Sequence, residues 1–232
     1  MHPLAIFIPE HTQSTINTAV WIVSLALQLA LFASLFARHI ARQFPIFTSL
    51  IGFYLVRSAL LFLIFDRIGP ATYHALYGDL ALIDLFVQTV VAVEILLHLV
   101  HASGSWTRRN ALLTFAVIGA AALGTVLTTT LLPAHAPILT DRTQFFFSFL
   151  MILLFAWAIR IPTASNPVRR IAGGFALYGI VNVSANFGRT YAAIQNNVGL
   201  YATWSYALAA IYLVVVLFWL VTLKDRREPQ TP

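Results

Sequence analysis

Seven apolar stretches of roughly 17 to 25 residues, separated by short connectors, dominate this chain and leave it little choice of fold. They run from Ile16 to Ala37, Ile46 to Phe65, Leu76 to Val100, Ala111 to Leu132, Thr143 to Ile159, Arg170 to Ile194 and Leu200 to Leu223. A hydrocarbon core of ~30 Å needs roughly 20 apolar residues in a helix, because no water inside it can satisfy a free backbone group. With 59% hydrophobic and 9% charged residues, the chain lies far from the roughly 25% charged content of soluble domains. The sequence therefore predicts an all-α polytopic membrane bundle of seven transmembrane helices, forming a single domain over residues 1–232 and embedded in the lipid bilayer.

A net charge of +6 would suit nucleic acid, but the basic residues form no single patch interleaved with aromatics, so no nucleic-acid partner is expected. They cluster instead at alternate connectors. Arg38 and Arg42 follow the first stretch, Arg108 and Arg109 the third, Arg160, Arg169 and Arg170 lie between the fifth and sixth, and Lys224, Arg226 and Arg227 follow the seventh. The remaining connectors offer Arg67 and Arg142. Because cytoplasmic loops retain an excess of Lys and Arg, the N-terminus is predicted outside and the C-terminus inside. Residues 1–11 contain Glu10 and two histidines but no Lys or Arg, a poor n-region for a cleavable signal, so the first span is expected to remain as an anchor. No attached soluble domain is expected either.

Local punctuation fits these spans. Pro45 and the Asn166-Pro167 pair suit the first turns of the second and sixth helices, where a missing backbone donor costs little. The Pro133 to Pro137 stretch with Thr140-Asp141 reads as an outer loop, and Asn196-Asn197-Val198-Gly199 as a tight outer turn. Trp21, Trp106 and Trp219 read as interfacial anchors, and Phe145-Phe146-Phe147 as lipid-facing or packing surface. Without cysteine, neither a disulfide nor a thiolate site can form.

Shifting the chain by 122 residues aligns Arg38 with Arg160, Pro45 with Pro167, Gly52-Phe53 with Gly174-Phe175, Leu55 with Leu177, Phe65 with Phe187 and Arg67 with Arg189, seven identities in thirty residues. This suggests a 3+1+3 parallel repeat, residues 16–100 and 143–223 joined by the fourth span. In that respect the chain resembles carriers of the SWEET or PQ-loop type, although its one Pro-Gln is Pro229-Gln230 in the tail. The segment Arg42-Gln43-Phe44-Pro45-Ile46-Phe47, followed by Tyr54 and Arg57-Ser58, resembles a group of uncharacterised bacterial seven-span integral membrane proteins whose second helix starts with Arg-x-Phe-Pro-x-Phe. That resemblance implies a multi-pass protein of the bacterial inner membrane and no particular activity. Microbial rhodopsins share the span count, but a retinal lysine is lacking, since Lys224 lies beyond the last span.

Ionisable groups within a membrane are costly and call for a reason. Counted along the helical rise, Arg57 on the second span and Asp84 on the third reach the same depth, roughly 12 Å below the outer surface, and are expected to pair. Tyr178, Asn182, Asn186 and Arg189 share one face of the sixth span, and Tyr77, Asp84 and Gln88 one face of the third. Asp79 is placed to meet Arg189 or Arg67. These groups, with Tyr54, Gln28 and Trp204, predict an outward polar cavity able to hold a small polar ligand, the alternative being a buried Arg57 to Asp84 bridge with Asn182 joining helices.

Glu94, His98 and His101 share another face of the third span near the cytoplasm. A metal is conceivable there but lacks completing ligands. The other readings are a proton relay and simple placement beside Arg108 or Arg109. His39, His74 and His135 read as loop or interface residues. Neither Gly-x-Ser-x-Gly nor His-x-x-x-His occurs, Asp79 and Asp84 point to different faces, and Ala172-Gly173-Gly174 suits helix packing better than a phosphate loop, so no enzyme, metal or cofactor is expected. Three roles remain: a carrier for a small polar or anionic solute, a receptor-like sensor signalling to a protein partner at its cytoplasmic loops, and an accessory subunit of a larger membrane complex.

Overall fold

In a computed structural model the chain is described over residues 13–64, 67, 69–104, 107–131 and 139–223. Glu10, Phe65, Trp106, the Pro133 to Pro137 stretch with His135, Lys224, Arg226, Arg227 and the Pro229-Gln230 pair lie outside those residues. The described part is helical, without strands: α1 (Gln13–Ala37), α2 (Ile40–Gln43), α3 (Pro45–Ile64), α4 (Pro70–Ala102), α5 (Arg108–Leu131), α6 (Leu139–Arg160), α7 (Asn166–Ile194) and α8 (Val198–Thr222). Pro45 opens α3 and Pro167 lies in the first turn of α7, as the missing proline N–H favours. Between α7 and α8, Asn196 adopts a positive φ of 52° and the Asn197 side chain accepts from Leu200 N at 2.9 Å, capping α8.

Six helices close into a ring. α1 packs on α3, α3 on α4, α4 on α6, α6 on α7, α7 on α8, and α8 returns to α1. α5 rests against α6 from outside this ring. The short α2 makes the corner between α1 and α3, entered through His39 at a φ of 56°. At that corner Arg38 Nη1 donates to Leu220 O at 2.9 Å and Leu223 O at 2.7 Å, satisfying carbonyls that the end of α8 leaves free.

Among the described residues, five segments are long and apolar enough to cross a membrane: Thr18–Ala37, Pro45–Ile64, Ala75–Ala102, Arg108–Thr128 and Val198–Thr222. Their outward faces carry bare Ile22, Leu29, Val56, Phe86, Leu97, Phe115 and Val221, an apolar surface that water would not tolerate at this extent. The chain is an integral membrane protein. The apolar part of α6 is shorter, Gln144–Arg160, and α7 is not among the five.

α7 differs because of where it sits. Lodged between α6 and α8, it buries the small residues Ala172, Gly174, Ala176, Gly179 and Ala185 alongside Val168, Ile171 and Phe175. Without a hydrophobic drive between helices in lipid, small residues let backbones approach and polar residues join them. At Gly179 an added Cβ would stand 3.0 Å from Ser148 O on α6, so the approach of α6 and α7 depends on that glycine.

Candidate functional site

The ring encloses a cavity of about 290 Å³. This is at the small end of the ~300–1,000 Å³ that small-molecule sites occupy. Each wall helix contributes a stripe at helical spacing: Trp21, Ser24 and Gln28 on α1; Tyr54, Arg57, Ser58 and Leu61 on α3; Tyr77, Asp84 and Gln88 on α4; Tyr178 and Asn182 on α7; Tyr212, Val215 and Trp219 on α8. The first turns of α6 add Gln144 and Ser148.

Two polar chains meet in it. On one side Arg57 Nη1 donates to Asp84 Oδ2 at 2.9 Å, both side chains 15% exposed, the one ion pair among the described residues. Gln88 Nε2 donates to Asp84 Oδ1 at 2.8 Å and to Tyr54 Oη at 2.9 Å, and the Arg57 guanidinium lies 5.1 Å above the Tyr77 ring. On the other side Gln28 Nε2 donates to Tyr212 Oη at 2.7 Å, Ser24 Oγ at 3.1 Å and Ser58 Oγ at 3.4 Å. The Tyr54 and Tyr212 rings meet edge to face at 6.1 Å, bringing the two chains together. Gln28, only 2% exposed, has its Oε1 without a partner, the one such buried side-chain atom among the described residues.

The cavity floor is aromatic. Phe175 meets Phe47 at 6.0 Å, Phe147 at 5.8 Å and Trp219 at 4.8 Å, and Phe47 meets Trp219 at 5.0 Å. All four are buried. Trp219 is thus no interfacial anchor: its Nε1 donates to Arg170 O at 3.1 Å, and its indole fills the space that a Cβ on Gly174 would need. The Phe145-Phe146-Phe147 run likewise turns two of its rings inward as packing.

Below the floor, Glu94 is buried and has a different task from the one its neighbours in sequence suggested. Oε1 accepts from Ile46 N at 3.0 Å and Oε2 from Phe47 N at 2.9 Å, so a carboxylate from α4 caps the N-terminus of α3. Among the described residues it takes no arginine partner, and Arg108 and Arg109 are exposed. His98 stacks on Phe44 at 4.5 Å with Nδ1 against Glu94 O at 2.9 Å, while His101 faces outward. No group of three metal-ligating side chains forms among the described residues.

Of the predicted site residues, Tyr54, Arg57, Asp84, Gln88, Tyr178 and Asn182 line the cavity, and so does Gln28. Asn186 and Arg189 do not. Asn182 Nδ2 donates to Ser148 Oγ at 3.1 Å, Asn186 Nδ2 to Asn182 Oδ1 at 3.1 Å, and Arg189 Nη2 to Asn186 Oδ1, a ladder up α7 that uses these polar groups internally. Arg189 then lies 6.0 Å from the Tyr201 ring, and meets neither Asp79, which is exposed, nor Arg67. Trp204 packs against Gly188 instead of the cavity. Sequence reasoning missed Trp21, Ser24, Ser58, Tyr212, Gln144 and Ser148. The Trp21-Ser24-Gln28 spacing of three and four was the available signal.

No family model matches the chain, and no curated protein or solved structure matches it either.

Proposed function

We propose that this protein is a carrier for a small polar solute, taken up in the cavity between α1, α3, α4, α7 and α8. The observation that carries this reading is a part-open cavity within the ring with its own ion pair and, in its wall, a buried hydrogen-bond acceptor left without a partner. Interhelical polar contacts in membranes average only about 0.6 kcal/mol, a weak motive for concentrating so many of them around an empty space. Seven spans, with the N-terminus outside, form the frame. α6 and α7 count as spans because they pack along their neighbours within the same ring, α6 on α4 and α7 and α7 on α6 and α8.

The ring order also supports a 3+1+3 duplication. Contacts α1 to α3, α3 to α4 and α4 to α6 have their counterparts in α6 to α7, α7 to α8 and α8 to α1. The corners correspond as well: Arg38, after α1, reaches the end of α8, and Thr163 Oγ1, after α6, donates to Ala102 O at the end of α4 at 2.6 Å. Two similar halves around one site are the frame on which alternating access works.

In this account the four-ring floor is the closed gate. Glu94 holds the backbone of Phe47, a member of that floor, so releasing the Glu94 cap frees the gate, and binding of solute above must favour the released state by a differential interaction. A neutral solute suits this reading better than an anionic one, because Arg189 is engaged elsewhere and Asp84 neutralises Arg57. Proteoliposomes carrying the purified chain test the proposal. Saturable counterflow of a small solute, lost in an Arg57→Leu, Asp84→Leu double variant and kept in His101→Ala, is the expected result. Saturable binding without flux would instead make the chain a sensor, whose sealed lower half reports to a protein partner at the basic loops; absence of both would leave an assembly subunit.

A further inference from the structure

We infer that the groove between α5 and α6, at the end of the bundle that holds Glu94, binds an anionic phospholipid, with its phosphate on Arg109 and Arg160 and an acyl chain along α5. This is independent of what the cavity carries. Charge comes first. Three arginines at this end spend their guanidinium groups on backbone carbonyls: Arg38 on Leu220 O, Arg169 on Ile161 O and Arg170 on Thr222 O. Arg109 and Arg160 do not. Both are exposed, and neither has a hydrogen bond or ion pair among the described residues. Nor does the sequence supply a neighbouring carboxylate. Between Glu94, which the first N–H groups of α3 take up, and Asp225, the sole acid is Asp141, at the opposite end of α6 from Arg160.

Packing brings the two arginines to one place. The start of α5 and the chain after α6 are both tied to the end of α4, by Asn110 Nδ2 donating to Ser103 Oγ at 2.7 Å and Thr163 Oγ1 to Ala102 O at 2.6 Å. On α5, Arg109, Leu113, Ala116, Ala120 and Gly124 recur every three or four residues and share a face; on α6, Phe149, Ala156 and Arg160 share one as well. These faces meet at Gly124, where an added Cβ would stand 3.2 Å from the Phe149 ring. From that contact Arg109 and Arg160 lie about 22 Å and about 16 Å towards the same end, a difference of about one helical turn. Leu113, Ala116, Ala120 and Ala156, between the contact and the arginines, are exposed. Two cations thus cap an apolar groove that runs about three turns along α5. A headgroup with its tail covers both parts, whereas a free anion or an acidic soluble protein leaves the groove bare. A second copy of the chain, in the same orientation in the membrane, would set arginine against arginine. Arginine grips phosphate oxygens through paired N–H groups, and basic pockets between membrane helices hold lipid phosphates.

Native mass spectrometry of the full chain, released from detergent micelles titrated with dioleoyl phosphatidylglycerol, dioleoyl phosphatidylcholine or glycerol 3-phosphate, tests this. One phosphatidylglycerol per chain is expected to bind at least tenfold tighter than either of the others. An Arg109→Gln, Arg160→Gln double variant is expected to weaken it at least fivefold. Arg42→Gln, which removes another exposed cation at the same end, is expected to leave it within twofold, and both variants keep the parent's melting profile. Ala116→Phe fills the groove, keeps every charge and is expected to weaken phosphatidylglycerol at least threefold. Equal binding of phosphatidylcholine would overturn the anionic headgroup, and equal binding of glycerol 3-phosphate would make this a site for a soluble anion. As large a loss in Arg42→Gln as in the double variant would replace the site by diffuse attraction at the whole end. Unchanged binding in Ala116→Phe would overturn the seating of the acyl chain. A protein retained in place of the lipid, and shed by the double variant, would assign the groove to a protein partner and overturn the proposal.

Discussion

The two halves of the ring treat charge in opposite ways. In the cavity half, Arg57, Asp84, Gln88, Tyr54 and Gln28 are partnered by other side chains, midway along their helices, with donors and an acceptor left over. In the Glu94 half, charged groups are partnered by backbone at helix ends: Glu94 by the first N–H groups of α3, Arg38 by the last carbonyls of α8, Arg169 by Ile161 O at 2.6 Å and Arg170 by Thr222 O. A side-chain pair can be exchanged for a ligand by rotating a few bonds. A backbone cap cannot be exchanged without displacing the end of a helix. The same residue types therefore make a binding surface above the aromatic floor and a set of ties below it.

Substitutions can break that contrast in order of expected effect. Arg57→Leu or Asp84→Leu alone strands a charge and is expected to cost about 4 kcal/mol in a denaturant titration, with the double variant less affected than either single one. A double variant that loses the sum of the two single losses would show that the pair is not coupled. Glu94→Leu leaves two backbone N–H groups of α3 unpartnered and is expected to cost about 3 kcal/mol, whereas Glu94→Gln keeps one acceptor and recovers more than half. Gly174→Ala pushes against the Trp219 indole and is expected to cost about 2 kcal/mol, with a change in tryptophan fluorescence as the floor shifts. Gln28→Met is expected to stay within about 1 kcal/mol of the parent, since the serine and tyrosine hydroxyls it leaves face the cavity. His101→Ala, exposed at the far end of α4, is expected to change stability by less than about 0.5 kcal/mol.

Helix positions were legible in the sequence because apolar length and connector charge are local properties. Every expected span falls on a long helix, with ends differing by a few residues. The Arg57 to Asp84 pair was legible too, since depth along a helix follows from the rise per residue, and two charges at one depth in lipid have few alternatives. Contacts that depend on which helices become neighbours were not legible. Glu94 looked like part of a histidine face on its own helix, and only the packing of α4 beside α3 presents it to the bare N–H groups behind Pro45. Trp219 sits at the right height for an interface, yet α8 turns it inward against Gly174, which alone leaves room. Arg189 shares a face with Asn182, but shared faces do not fix reach, and Asn186 intercepts it.

The contrast between an open half and a tied half is tested most directly by thiol accessibility, for which the natural absence of cysteine supplies a clean background. Single variants Ser24→Cys, Ser58→Cys and Ser148→Cys line the cavity, whereas Ala158→Cys and Ala172→Cys lie in the buried core on the Glu94 side of the floor. In sealed vesicles of known orientation, a small membrane-impermeant thiol reagent is expected to modify the first three from the side of the N-terminus alone and the last two from neither side. Modification of both sets alike, or protection of Ser58→Cys from both sides, would contradict the account.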